Sequence, residues 1–197
     1  MADGRLYFAY GSNINLEQMA CRCPDATVVG PVMLEGYELL FRRNGFASIA
    51  PKEGGTVHGL LWSITPECER SLDNYEGYPR FYGKRMVSVR DNEGRSLSAM
   101  AYIMDERFRE PMMPSESYYA VILEGYRQNG LPVIFLKEAW EHTAEEIHAE
   151  TERINNAFIK RSRPLKGPYL HRQRVHHRGR PGGAEGHRHH LRPLQPR

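Results

Sequence analysis

The sequence predicts an α+β domain, on three observations. Short runs rich in aromatic and β-branched residues, bounded by Gly, Pro, Asn and Asp, read as strands. Longer stretches with apolar residues every three or four positions, behind good capping residues, read as helices. Hydrophobic residues make up 40% of 197, enough for one medium domain with a core.

The first strand is Leu6-Tyr7-Phe8-Ala9-Tyr10, which stops at the turn residues Gly11-Ser12-Asn13. A helix follows, with Leu16, Met19, Ala20 and Cys23 on one face and Cys23-Pro24-Asp25 as its end. Val28–Leu34 and Tyr37–Arg42 read as two strands separated by Glu35-Gly36. Ala47–Ala50 is a weaker strand closed by Pro51, and Val57–Ile64 a stronger one. Thr65-Pro66-Glu67 starts a helix: Thr caps, Pro suits the first helical position, and Glu suits the dipole. That helix runs to about Tyr75 and breaks at Gly77 and Pro79. Phe81–Arg90 and Leu97–Met104 form the arms of a hairpin turned by Asp91-Asn92-Glu93-Gly94. Ser115 caps a helix striped by Tyr118, Ile122 and Tyr126 and widened by Tyr119 and Leu123. Asn129-Gly130 ends it, and Pro132 blocks continuation. A last helical region spans about Val133–Ile159, with a break expected near His142-Thr143.

From Ser162 onward the apolar periodicity vanishes and Gly, Pro, Arg and His dominate. The expected organisation is therefore a domain over 1–161 and a basic, disordered tail over 162–197. Eleven of the 27 basic residues but one of the 24 acidic ones lie in 160–197, which leaves the preceding chain acidic by 7. Such a tail can associate with nucleic acid only without sequence specificity, because phosphate contacts read no bases. No apolar run approaches the roughly 20 residues that span a bilayer, so no membrane partner is expected and a cytoplasmic location is the default. Three cysteines, Cys21, Cys23 and Cys68, argue against a disulfide framework, and no spacing marks a metal site.

Two stretches hold candidate chemistry. Strand, small-residue turn and helix start, over Tyr10-Gly11-Ser12-Asn13, is a recurring way to hold an anion with backbone N–H groups. The same stretch also reads as a plain connection with Asn13 or Asn15 as the helix cap. In Asn74-Tyr75-Glu76-Gly77-Tyr78, a carboxylate stands between aromatic residues at a helix end. Partial desolvation there would raise its pKa toward the range useful for proton transfer. A solvated helix-end Glu is the plainer alternative, and Asp73 in the same turn could equally be the base. His58, His142 and His148 have no nucleophile signature nearby, and phosphate-loop and dinucleotide fingerprints are absent.

Tyr10-Gly11-Ser12-Asn13 after an aromatic strand resembles the Tyr-Gly-Ser-Asn signature of the γ-glutamylcyclotransferase-like family. Leu72-Asp73-x-x-Glu76-Gly77 resembles that family's second motif, whose glutamate is the acid/base. Pro114-Ser115-x-x-Tyr118 and Asn129-Gly130-Leu131-Pro132 also match, so the resemblance covers roughly 5–135. It implies a small, curved or barrel-like mixed sheet flanked by helices. It also implies release of 5-oxoproline from a small-molecule γ-glutamyl substrate, with no cofactor and no metal. Glu76 would be catalytic, the turn Tyr10-Gly11-Ser12-Asn13 would hold the substrate's α-carboxylate through its backbone N–H groups, and Tyr82 and Tyr118 would line the pocket and offer hydroxyls. A module that binds such a ligand without turnover is the alternative on the same fold.

Overall fold

The computed structural model describes residues 4–161. Its strands are β1 (Arg5–Ala9), β2 (Thr27–Arg42), β3 (Phe46–Ile64), β4 (Tyr82–Asp91) and β5 (Ser96–Met104). They close into a barrel in the order β1-β3-β2-β4-β5. Neighbours pair antiparallel except β1 and β5, which run parallel with Tyr7 opposite Met100. The sheet is thus mixed and closed, with its seams at Val32-Met33 against Arg90-Asp91 and at Tyr7 against Met100. Helices α1 (Leu16–Arg22), α2 (Pro66–Glu76), α3 (Glu116–Gln128) and α4 (Val133–Arg161) flank it. Large residues such as Phe8, Leu60, Leu61 and Met100 are fully buried in its core, consecutive ones on opposite faces of the sheet.

Three sequence expectations are corrected. Val28–Leu34 and Tyr37–Arg42 are one strand, β2, because Glu35-Gly36 forms an irregularity in the ladder rather than a turn. β3 likewise runs through Pro51: the register passes from Tyr37 opposite Pro51 to Glu35 opposite Thr56, so residues 52–55 bulge against Gly36. Pro51 is the last paired residue before that bulge, where the ladder is already ending. Finally, α4 does not break at His142-Thr143. The buried Thr143 hydroxyl donates to the Ala139 carbonyl at 2.8 Å and accepts from the Phe41 N–H at 3.2 Å. A residue of poor helix propensity is held in the helix because it also pins α4 to β2.

The helix ends follow local chemistry. The Thr65 side chain accepts from Cys68 N, and Gly77 closes α2 in the left-handed conformation, φ 63°. The Ser115 side chain accepts from Tyr118 N at the start of α3. Cys21, Cys23 and Cys68 are free thiols, and burial pushes the Cys23 thiol up to about 12. No helix among the described residues is long and apolar enough to cross a membrane. The expectations for 162–197, including the disordered tail and any nucleic-acid association through it, lie outside the described residues.

Candidate active site

The chain leaves the barrel at Tyr10 and tightens into a single 3-10 turn over Ser12–Ile14 before α1 begins. The turn uses the N–H groups of Ile14 and Asn15 for its own bonds, to the carbonyls of Gly11 and Ser12, both at 3.1 Å. The N–H groups that precede them have no partner within the turn. Of the two asparagines that read as caps, Asn15 caps α1: its side chain accepts from Gln18 N at 3.0 Å. The side chain of Asn13 is thereby left for other work. Helix α3 clamps this turn in place. Asn129 Nδ2 donates to Ile14 O at 2.8 Å, Leu16 N donates to Gln128 Oε1 at 2.9 Å, and Asn15 Nδ2 donates to Val121 O at 3.2 Å. Gly125 makes the close approach possible, since a Cβ there would sit 2.6 Å from Ile14 Cγ1 and 2.8 Å from Asn15 N.

The turn, the end of α2, β4, β5 and the start of α3 enclose a cavity of about 140 Å³. Of the sequence-named candidates, Tyr10, Gly11, Ser12, Asn13, Glu76, Tyr82 and Tyr118 line it. The φ of Gly11 is −102°, outside the left-handed region, so the space for a side chain is what bears on this position. A Cβ there would lie 3.3 Å from Ala47 Cβ and 3.4 Å from Tyr118 Oη. Tyr7, Phe46, Ala47, Tyr75, Phe81 and Tyr102 also line the cavity, and sequence reasoning missed them. An aromatic residue in a strand carries no signal that separates a pocket wall from ordinary core.

Glu76 ends α2 half-buried, with its carboxyl on the cavity. Desolvation raises its pKa to about 7, against the opposing pull of the Arg22 charge and a hydrogen bond from Asn13. That bond runs from Asn13 Nδ2 to Glu76 Oε1 at 2.9 Å. A second N–H of the same amide donates to Tyr7 Oη at 2.9 Å, and the Asn13 backbone carbonyl accepts from Trp62 Nε1 at 3.1 Å. A carboxyl with a pKa near neutrality accepts a proton and returns it without a large free-energy gap in either direction.

The hydroxyls divide by what they have already engaged. Tyr82 donates to Ala47 O at 2.7 Å and Tyr10 donates to Tyr102 O, so both protons are committed to backbone carbonyls. Tyr118 Oη accepts from Ala47 N at 3.3 Å and keeps its proton free for a ligand. Burial raises the phenol pKa values of Tyr7, Tyr10, Tyr82, Tyr102 and Tyr118, so the wall stays uncharged at neutral pH. Asp73, the other acid of this turn, does not line the cavity. It accepts from Tyr102 Oη at 2.5 Å and pairs with Lys84 Nζ at 2.7 Å. Among the described residues no group of His, Cys, Asp and Glu is arranged to hold a metal ion.

This architecture is shared with known proteins. Residues 7–120, from β1 through the capped start of α3, match the family described as "Gamma-glutamyl cyclotransferase, AIG2-like". Bovine gamma-glutamylcyclotransferase is 32% identical over 144 residues, 68% of this chain and 76% of that protein. The human protein of the same name is 32% identical over 139 residues, 65% of this chain and 73% of that one. Among solved structures, a gamma-glutamyl cyclotransferase superposes with a TM-score of 0.63 at 29% identity, covering 69% of this chain and 86% of its own. The matched segment contains the turn, the end of α2 and Tyr118, and on these grounds the chain belongs to the gamma-glutamyl cyclotransferase, AIG2-like family.

Proposed function

We propose that this protein is a γ-glutamyl cyclotransferase that releases 5-oxoproline and a free amine from a small-molecule γ-glutamyl compound. The observation that carries the reading is the Glu76 carboxyl, its pKa raised to about 7, on an aromatic cavity beside the 10–13 turn. The reaction needs two things from the chain. The first is orientation, because a flexible γ-glutamyl group must fold until its α-amine meets its own γ-carbonyl. A cavity of about 140 Å³ suits a group of that size. The second is proton transfer. The α-ammonium is protonated at neutral pH and becomes nucleophilic only when Glu76 takes a proton from it. The amine nitrogen then bonds to the γ-carbon, the γ-carbon to leaving-nitrogen bond breaks, Glu76 returns its proton to the departing amine, and the new lactam nitrogen sheds its second proton to water. One carboxyl serves both halves, and the chain itself is not consumed.

In this reading the substrate α-carboxylate lies against the backbone N–H groups of residues 10–13. The free proton of Tyr118 is a donor for a substrate oxygen, and Tyr10 and Tyr82 form walls fixed by their own backbone bonds. The test is incubation of the full chain with a panel of γ-glutamyl compounds, namely γ-glutamyl amino acids, glutathione, γ-glutamyl-ε-lysine and γ-glutamyl alkylamides, with 5-oxoproline measured. Turnover of at least one is expected. Calorimetric binding of a panel member with no 5-oxoproline from any would instead assign a ligand-binding module.

A further inference from the structure

Arg22 stands at the last residue of α1, where a basic side chain ordinarily faces solvent and complements the helix dipole. Here it turns inward and is half-buried. Nη1 donates to Asn13 Oδ1 at 2.7 Å and to Ser12 Oγ at 3.4 Å, and Nη2 donates to Gln18 Oε1 at 2.6 Å. The guanidinium lies 3.7 Å from the centre of the Tyr75 ring, the residue next to Glu76. The Arg22 carbonyl in turn accepts from Ser71 Oγ of α2 at 2.7 Å. One side chain thus joins the 12–13 turn, α1 and the end of α2.

We propose that Arg22 is the positioning residue of this site: it locks the Asn13 amide in the orientation that hydrogen-bonds Glu76. The inference rests on the function assigned above to Glu76. Its logic is that of donors and acceptors. Arginine carries only donors, so the Asn13 atom it touches must be the amide oxygen. Both amide N–H groups then point the other way, one to Tyr7 Oη and one to Glu76 Oε1. Rotating the amide by half a turn would set N–H groups against the guanidinium and a carbonyl oxygen against an ionised Glu76. The forked geometry matters as well as the charge, because three side-chain oxygens are held at once; an ammonium on a flexible stem cannot span them.

The groups around Glu76 leave a clean readout. They are Tyr7 on β1, Tyr10, Arg22 on α1, Tyr75 on α2, Tyr82 on β4, Tyr102 on β5 and Tyr118 on α3. Asp73 and Glu69, one and two turns before Glu76 on α2, are paired with Lys84. Arg22 is the charge in this set that the variants alter.

The experiment compares wild type, Arg22→Met and Arg22→Lys as full chains, in three measurements. The Glu76 carboxyl is titrated by carbon NMR in ligand-free protein, the Asn13 side-chain amide is followed by nitrogen–proton NMR, and kcat and KM for 5-oxoproline release are measured from pH 5 to 9. In Arg22→Met the Glu76 midpoint should rise by about one pH unit, as expected on losing a nearby opposite charge. The rising limb of kcat/KM should move with it. In Arg22→Lys the midpoint should move less, while the Asn13 amide resonances shift and kcat falls at least about tenfold with a smaller change in KM. An unchanged Glu76 midpoint in Arg22→Met, or unchanged Asn13 resonances with wild-type kcat in Arg22→Lys, would overturn the proposal. If Arg22→Met does not fold, Arg22→Lys alone decides. If wild type releases no 5-oxoproline, the function assignment falls, while the two NMR readouts still decide whether Arg22 positions Asn13.

Discussion

At the scale of the residue, the site keeps a carboxyl where folding alone would not favour one. Glu76 has a folded pKa of about 7 against an ordinary value of 4.5, because burial disfavours its charge. The sign of the stability effect follows. Between about pH 4.5 and pH 7 the unfolded chain has released this proton and the folded protein still holds it. The folded state therefore binds more protons, and its stability falls as pH rises through that window. Glu76→Gln removes the titration while keeping an acceptor for Asn13. The Tm of wild type should decline from pH 5 to pH 8 more steeply than that of Glu76→Gln; parallel curves would contradict the raised pKa. Glu76 was legible in the sequence because its aromatic neighbours and the helix stop are adjacent in the chain. The role of Arg22 was not, since its partners Asn13 and Tyr75 meet it only after α1 and α2 pack together. At Gly11 the room for a side chain is set by Ala47 and Tyr118, both distant from it in the chain.

At the scale of the element, the 10–15 turn is held less by its own bonds than by α3. Gly125 is the point of contact, with Ile14 Cγ1 and Asn15 N within 3 Å of any added Cβ. At an open helical position Gly→Ala gains up to about 1 kcal/mol of helix propensity. Here Gly125→Ala should instead destabilise, by about 1–3 kcal/mol, because backbone must move to admit the methyl group. It should also raise KM, since the displaced turn borders the cavity. Denaturant unfolding checks the first outcome and steady-state kinetics the second; a net gain in stability would show that the turn yields freely. Strand and helix existence was legible from period and caps, as at Thr65 and Ser115, where the capping bonds form as the residues imply. Continuity was less legible. Glu35-Gly36 and Pro51 read as breaks because local chemistry cannot report that a partner strand carries four residues opposite one. Thr143 read as a weak point of α4 because its partner, Phe41 N, lies on β2.

At the scale of the whole molecule, the closed barrel brings together side chains from β1, α2, β4, β5 and α3 that are distant in sequence. Which tyrosines share that cavity follows from closure and register, which no single segment encodes. The basic composition of 162–197, against an acidic remainder, leads to a separate expectation. A chain ending at Arg161 should keep the thermal midpoint and turnover of the full chain, and lose any salt-sensitive retention on nucleic acid. A large loss of turnover in the shortened chain would assign the tail a part in the site. The central claim is that Glu76 moves the proton in lactam formation, and it is tested most directly by 5-oxoproline release from saturating substrate in Glu76→Gln. The expected result is a kcat lower by about 10²–10⁴-fold, with calorimetric ligand binding changed far less. Asp73→Asn, whose carboxylate is engaged with Tyr102 and Lys84, should cost less than about tenfold. Undiminished turnover in Glu76→Gln, or a greater loss in Asp73→Asn, would contradict the account.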